Sequence, residues 1–180
     1  MAKFEVVKRF SDGDKVGINL PTRATKNSAG YDFTVCEDIL VPSYKNLMEA
    51  VQGYYAEKVP LILDDIKRVT STTGIKPTLV PTGVKCKLDP GQYLEISVRS
   101  STPLNSWMIL ANGVGIIDAD YYGNETNDGE IFFQLINLSP VDIYLRAGDK
   151  IGQGIIKRYE ITEDDEATGE RVGGFGSTSK

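Results

Sequence analysis

Apolar residues along most of this chain fall in short alternating or continuous runs, separated by Gly, Pro, Asn and Asp. The runs occupy residues 4–9, 34–41, 78–88, 93–99, 108–111, 130–138, 141–145 and 150–159. Alternation with a period of two puts every second side chain on one face, so each run predicts a brief strand with one buried face. Many short strands at regular spacing predict an all-β jelly-roll-like barrel or sandwich. Pro90-Gly91, Pro140 and Gly148-Asp149 supply the turn chemistry between them.

One stretch breaks the rhythm. Tyr44, Leu47, Met48, Val51, Tyr54 and Tyr55 recur at helical spacing after Ser43, a residue suited to cap a helix, and 59–69 could add a second short helix around Pro60. The pattern predicts a helical insertion over 43–76 within a β core formed by 1–42 and 77–160. From 161 to 180 the chain turns acidic and then glycine-rich, with too few apolar side chains to fold alone, and reads as a flexible C-terminal arm.

Composition narrows the chemistry. The chain has 180 residues, enough for one substantial core and short for two domains. Its net charge of -5, with scattered Lys and Arg, argues against nucleic acid as a partner, because a phosphate backbone demands a basic stripe. No apolar run approaches the roughly 18 residues that cross a bilayer, so no membrane association is expected. Cys36 and Cys86 lack metal-site spacing and read as reduced thiols of a cytoplasmic protein. Histidine is absent, so a general base must be Asp, Glu, Lys, Tyr or Cys.

Several segments carry candidate chemistry. The run from Asn112 to Gly123, Asn-Gly-Val-Gly-Ile-Ile-Asp-Ala-Asp-Tyr-Tyr-Gly, sets a carboxylate after an apolar stretch among glycines that permit close approach of a ligand. Asp118 and Asp120 are expected to point to opposite faces, so that at most one is active; Asp118 also suits a structural turn. Tyr121 and Tyr122 read as sheet aromatics. Arg99-Ser100-Ser101 offers a guanidinium, hydroxyls and backbone N–H groups that suit phosphate oxygens, although the same triplet suits a solvated loop. Asp32, in Ala29-Gly-Tyr-Asp32, could cap a turn or face a metal. Gly173-Gly-Phe175-Gly176-Ser177-Thr178 could wrap phosphates while its ring stacks on a base, or could serve as a linker.

Taken in order, Ala29 to Asp32, Arg99 to Ser101, Asn112 to Gly123, Gly148 to Gln153 and Arg171 to Ser179 resemble the five motifs of the trimeric dUTPase family, bacteriophage-type members with an insertion included. The family hydrolyses dUTP to dUMP and pyrophosphate. The resemblance implies a jelly roll assembled as a homotrimer whose sites draw motifs from neighbouring subunits. It implies that Asp118 activates the water that attacks the α-phosphorus, with Mg²⁺ on the phosphates reached by Asp32 through a water. Arg99, Ser100, Ser101 and Gln153 match phosphate-contacting positions. Asn112 and the backbone around Gly115 and Ile117 match the hairpin that reads uracil, and Tyr121 matches the ring under the deoxyribose. In the arm, Phe175 matches the ring over uracil, while Gly176, Ser177 and Thr178 match its γ-phosphate cradle. Arg171 matches the arm's arginine displaced by one residue. The polar loop 124–129 has no counterpart in shorter relatives and is expected to alter a rim rather than the chemistry. Some phage-type relatives imply a second role for the insertion, a nucleotide-gated switch that binds a regulatory protein. The deoxycytidine triphosphate deaminases share the fold but lack the Phe-Gly-Ser-Thr arm.

Overall fold

Period-two alternation becomes antiparallel strands buried on one face. The structure, a computed structural model, describes residues 1–10, 17–45, 48–49, 52, 67, 70–71, 76–169, 171 and 173–174. Its strands are β1 (Lys3–Val6), β2 (Thr22–Arg23), β3 (Tyr31–Thr34), β4 (Ile39–Val41), β5 (Thr78–Pro81), β6 (Val84–Lys87), β7 (Gln92–Val98), β8 (Met108–Leu110), β9 (Gly115–Asp118), β10 (Phe132–Asn137), β11 (Ile143–Leu145) and β12 (Lys150–Arg158). A short helix, α1 (Ser101–Ser106), follows β7. The expected all-β jelly-roll class is the observed one.

Five strands form the sheet that carries most of the motif residues, in the order β2-β3-β12-β7-β9, and three more form β5-β10-β8. The pairs β1-β6 and β4-β11 close the remaining sides. Phe133 and Leu135 of β10, Leu94 of β7, Phe33 of β3 and Ile151 of β12 are almost wholly buried between these layers. The Phe33 and Phe133 rings lie 5.6 Å apart, and Phe4 meets Phe33 edge-on at 5.5 Å. Burying each such side chain stabilises the fold by ~1.5–3 kcal/mol, and truncating Phe133 to Ala would cost about 3–5 kcal/mol through the cavity left behind.

Two expected strands are each split, for one physical reason. The run 78–88 breaks at Thr82 and Gly83, so that β5 joins β10 while β6 joins β1. Thr82 Oγ1 secures this corner by donating to the Ile131 carbonyl at 2.7 Å. The run 34–41 breaks likewise: β3 pairs with β12, and β4 pairs with β11. Alternation reports which face is buried but is silent about a strand changing sheets.

Ser43 caps a helix as expected. Its hydroxyl accepts the Lys45 N–H at 3.2 Å and donates to the Ser139 carbonyl at 2.6 Å. Within 43–76, Tyr44, Lys45, Met48, Glu49, Gln52, Lys67, Thr70 and Ser71 are helical, and most of the expected helical insertion lies outside the described residues. Among the described residues no helix is long and apolar enough to cross a membrane.

Candidate active site

The first cluster sits at one corner of the outer face of the five-stranded sheet. Asp32 of β3 lies opposite Gln153 of β12, which lies opposite Ser97 of β7, so all three share that face. Arg99 follows two residues on, with Nε 3.5 Å from Asp32 Oδ1, while Lys150 Nζ donates to Asp32 Oδ2 at 2.9 Å. In a regular strand Lys150 and Gln153 would face opposite sides. A register shift between Lys150 and Gly152 adds one residue and turns Lys150 onto the face of Asp32. Ser100 and Ser101 open α1, and the Ser100 hydroxyl makes no capping bond to it. The Gln153 amide lies across Gly30, within 2.5 Å of where a Cβ would stand.

The second cluster occupies the diagonal corner. Asp118 ends β9 opposite Tyr93 of β7. The chain then leaves the extended conformation for a single 3-10 turn, Ala119–Tyr121. This overturns the expectation that Asp118 and Asp120 diverge. Residues two apart along an extended chain share a face, and Asp118 is still extended, so the two carboxylates stay on one side. Both carboxylates hold one guanidinium: Arg171 Nη2 is 2.5 Å from Asp118 Oδ2, and Arg171 Nε is 2.7 Å from Asp120 Oδ1. Arg171 thus belongs to this cluster.

Behind Asp118 a cleft of ≈190 Å³ is floored by Ile96, Leu110, Ile117, Phe132 and Gln134 and rimmed by Asn112, Asp118, Tyr121 and Arg171. Pockets for drug-sized ligands run to ~300–1,000 Å³, so this one suits a smaller group. The turn at its mouth is not a two-stranded hairpin, which corrects the expected geometry. β8 pairs with β10 and β9 with β7, so the turn bridges two sheets and leaves a gap between them. Gly115 also serves packing, because a Cβ there would stand 2.5 Å from Ile96 Cγ1.

Tyr121 is not a strand residue; it lies in the 3-10 turn, 7% exposed, beside the cleft. Its hydroxyl donates to the Glu130 carbonyl at 2.9 Å and accepts from Asn127 Nδ2 at 2.7 Å. Burial raises this phenol above its ordinary pKa. Tyr122 points elsewhere: its hydroxyl donates to the Glu5 carboxylate, a bond that pushes its pKa up to about 12. Burial raises the Cys36 thiol to about 11 and the Cys86 thiol to about 12, which disfavours the thiolate of both.

The two clusters do not meet within one chain. The register sets Asp118 against Tyr93 and Asp32, through Gln153, against Ser97. Four residues along β7 and three strand spacings across the sheet separate the carboxylates by roughly 20 Å. A general base works within about 2.6–3.2 Å of its proton, so no small substrate spans this gap on one chain. Phe175, Gly176, Ser177 and Thr178 lie outside the described residues.

This arrangement of segments has known counterparts. A family model, described as dUTPase, matches residues 65–179. The chain belongs to the dUTPase family. It is 34% identical over 177 residues to the deoxyuridine 5'-triphosphate nucleotidohydrolase of Lactococcus lactis, covering 97% of this chain and 95% of that relative. The crystal structure of dUTPase from Streptococcus mutans superposes with a TM-score of 0.66 at 29% identity, covering 89% of this chain and 98% of that one. The dUTPase from phage phi11 of Staphylococcus aureus shares the fold with a TM-score of 0.62 at 13% identity, covering 93% and 96%.

Two groups of residues beside the candidate dUTPase site were not legible in the sequence. Lys150 is hidden by the register shift, since alternation assigns it to the wrong face. Asn124 and Asn127 sit in the loop expected to affect only a rim, yet Asn127 holds the Tyr121 hydroxyl and Asn124 Nδ2 donates to the Tyr121 carbonyl at 2.9 Å. The turn-forming sequence Asn-Asp-Gly at 127–129 signals a tight loop but not what the loop holds.

Proposed function

We infer that the chain is a dUTP diphosphatase, hydrolysing dUTP to dUMP and pyrophosphate, with each site assembled from more than one copy. The observation that carries this reading is the diagonal separation of a cation-rich corner at Asp32, Arg99 and Lys150 from an acidic corner at Asp118 and Asp120, on one sheet face. The first suits a triphosphate. The second suits a base beside a pocket sized for a nucleobase. A neighbouring copy that lays its Asp118 against the Arg99–Ser101 segment completes the site. A closed ring gives every copy such a neighbour, and the homotrimer implied by the family resemblance is such a ring.

In this reading Asp118 takes a proton from the attacking water as a P–O bond forms at the α-phosphorus and pyrophosphate leaves with the electrons of the broken P–O bond. Positioned general-base catalysis of this kind supplies typically ~10²–10⁴-fold. Arg171 must first leave Asp118, and phosphate oxygens are a strong alternative partner for a guanidinium. Arg99, Lys150, Ser100, Ser101 and Gln153 orient the phosphates in line with the water. Asn112 and the backbone at Gly115 and Ile117 read the uracil edge, and Tyr121 lies under the deoxyribose. Phe175, Gly176, Ser177 and Thr178 close over base and phosphates.

The donor set near Asp32 fits Mg²⁺ in one way. Among the described residues no group of three metal-binding side chains exists, and Asp32 is the one carboxylate beside the phosphate-type side chains. Such a set suits an ion that arrives on the triphosphate, keeps its waters and meets Asp32 through one of them. When bound, Mg²⁺ neutralises phosphate charge. A structural Mg(II) ion is coordinated in a mutant of the phage phi11 dUTPase, whose fold this chain shares.

Pyrophosphate release from dUTP, dCTP, dTTP and UTP tests the reading. Asp118→Asn is expected to lower dUTP turnover by about 10²–10⁴-fold while dUTP binding persists. Retained turnover would remove Asp118 from its role. The switch on a regulatory protein through 43–76 is a separate proposal: deleting that segment would abolish capture of the partner while hydrolysis continues.

A further inference from the structure

The loop 124–130 grips Tyr121 at both ends of the residue. Asn124 Nδ2 holds its carbonyl at 2.9 Å, and the Asn127 amide with the Glu130 carbonyl occupies both hydrogen-bonding directions of its hydroxyl, at 2.7 and 2.9 Å. The loop is itself fixed. Asn124 Oδ1 accepts the N–H groups of Thr126 and Asn127, and Asn127 Oδ1 accepts that of Gly129 at 3.1 Å. Gly129 has φ +82°, and a Cβ there would stand 2.8 Å from the Tyr121 carbonyl oxygen, so only glycine fits. The far side is tied to the barrel: Asp128 accepts from Lys85 Nζ at 2.7 Å and from the Lys8 N–H at 2.8 Å, and Glu130 pairs with Arg9 through Nε and Nη2.

We propose that Asn127, acting with the Glu130 carbonyl, is a positioning residue that holds the Tyr121 ring upright and thereby sets discrimination against ribonucleotides. The proposal rests on the reading of Tyr121 as the wall beneath the sugar. A ring whose hydroxyl is held on both sides cannot tilt, and an untilting wall leaves no space for a 2′-hydroxyl. A ring freed at its hydroxyl end can lean away and admit UTP. Gly174 of the arm lies against the ring edge, 2.7 Å from Cε2 measured from the place of a Cβ, so a tilt would also reach the lid.

The test compares kcat/KM for UTP with kcat/KM for dUTP in the full-length enzyme. Asn127→Ala is expected to raise the UTP/dUTP ratio by about five- to tenfold, the scale of one hydrogen bond to a buried hydroxyl, and Tyr121→Phe, which removes both bonds, by at least as much, mainly through KM for UTP. In Asn127→Ala, kcat for dUTP should stay within about twofold of wild type. The double variant should relax no further than Tyr121→Phe alone, because that substitution already removes both bonds of the hydroxyl. Should Asn127→Ala fail to fold, Tyr121→Phe, which leaves the loop's internal bonds intact, decides alone. Tyr121→Ala separates the two layers of the argument. A ratio that rises in Tyr121→Ala but not in Tyr121→Phe overturns the tether and leaves the sugar-wall reading standing. A ratio unmoved by Tyr121→Ala overturns that reading, and this inference with it.

Discussion

The two corners of the outer sheet face are opposites in charge. At one, two cations, Arg99 and Lys150, surround a single carboxylate, Asp32; at the other, two carboxylates, Asp118 and Asp120, surround a single cation, Arg171. Each is the electrostatic complement of the other, and one rigid β-sheet holds them apart. The difference teaches that the chain carries two complementary charge clusters in places that its own fold prevents from meeting. In the proposed assembly, complementary charge would steer and orient one copy against the next.

The contrast can be broken at either corner, with different kinetic signatures. Asp118→Asn should act on kcat and carries the largest effect. Removing 161–180 comes next. It deletes the Arg171 bridge together with the aromatic and hydroxyl contacts expected from Phe175 to Thr178, and should lower kcat/KM by about 10–100-fold, the scale of one base-stacking ring. Because 161–169 is exposed along its length, the melting temperature of the nucleotide-free protein should shift by no more than about 2 °C. A collapse in stability would mean that the arm holds the fold instead of the substrate.

Asp32→Asn sharpens the other corner. It should raise the Mg²⁺ concentration needed for half-maximal turnover by about 10-fold while kcat at saturating ion changes little, the pattern of a carboxylate acting on an ion through water. An unchanged Mg²⁺ requirement would separate Asp32 from the ion. The smallest effect concerns the scaffold of the acidic corner. Burial alone would raise the Asp128 carboxyl, but the bonds from Lys85 and the Lys8 backbone, with both lysine charges, hold it below its ordinary value. A depressed carboxylate contributes stability above its unfolded pKa, near ~3.9, and loses it as pH falls through the folded value. Asp128→Asn should therefore flatten the loss of stability below about pH 4, as acid unfolding would read.

Much of this was legible in the sequence, for identifiable reasons. Alternation in 93–99 and the largely apolar run 130–138 became β7 and β10, and the five ordered motifs led to the family. What alternation could not carry was any place where the chain stops being a regular strand. The corners at Cys36 and Gly83, where strands change sheets, are such places. So are the register shift that turns Lys150 toward Asp32 and the 3-10 turn that takes Tyr121 out of the strand. The tether on Tyr121 is long-range in the same sense, since side-chain amides of a polar loop show nothing of the hydroxyl they hold.

Co-expression of two inactive chains tests most directly whether the site is shared between copies. One carries Asp118→Asn and the other Ser100→Ala, with different tags, and assemblies holding both are purified and assayed for pyrophosphate release from dUTP. If neighbours complete each other's sites, about one site in three in a mixed trimer contains neither substitution, and activity returns although each parent is dead. Mixed assemblies as inactive as their parents would mean that both corners must act within one chain, against the geometry described above.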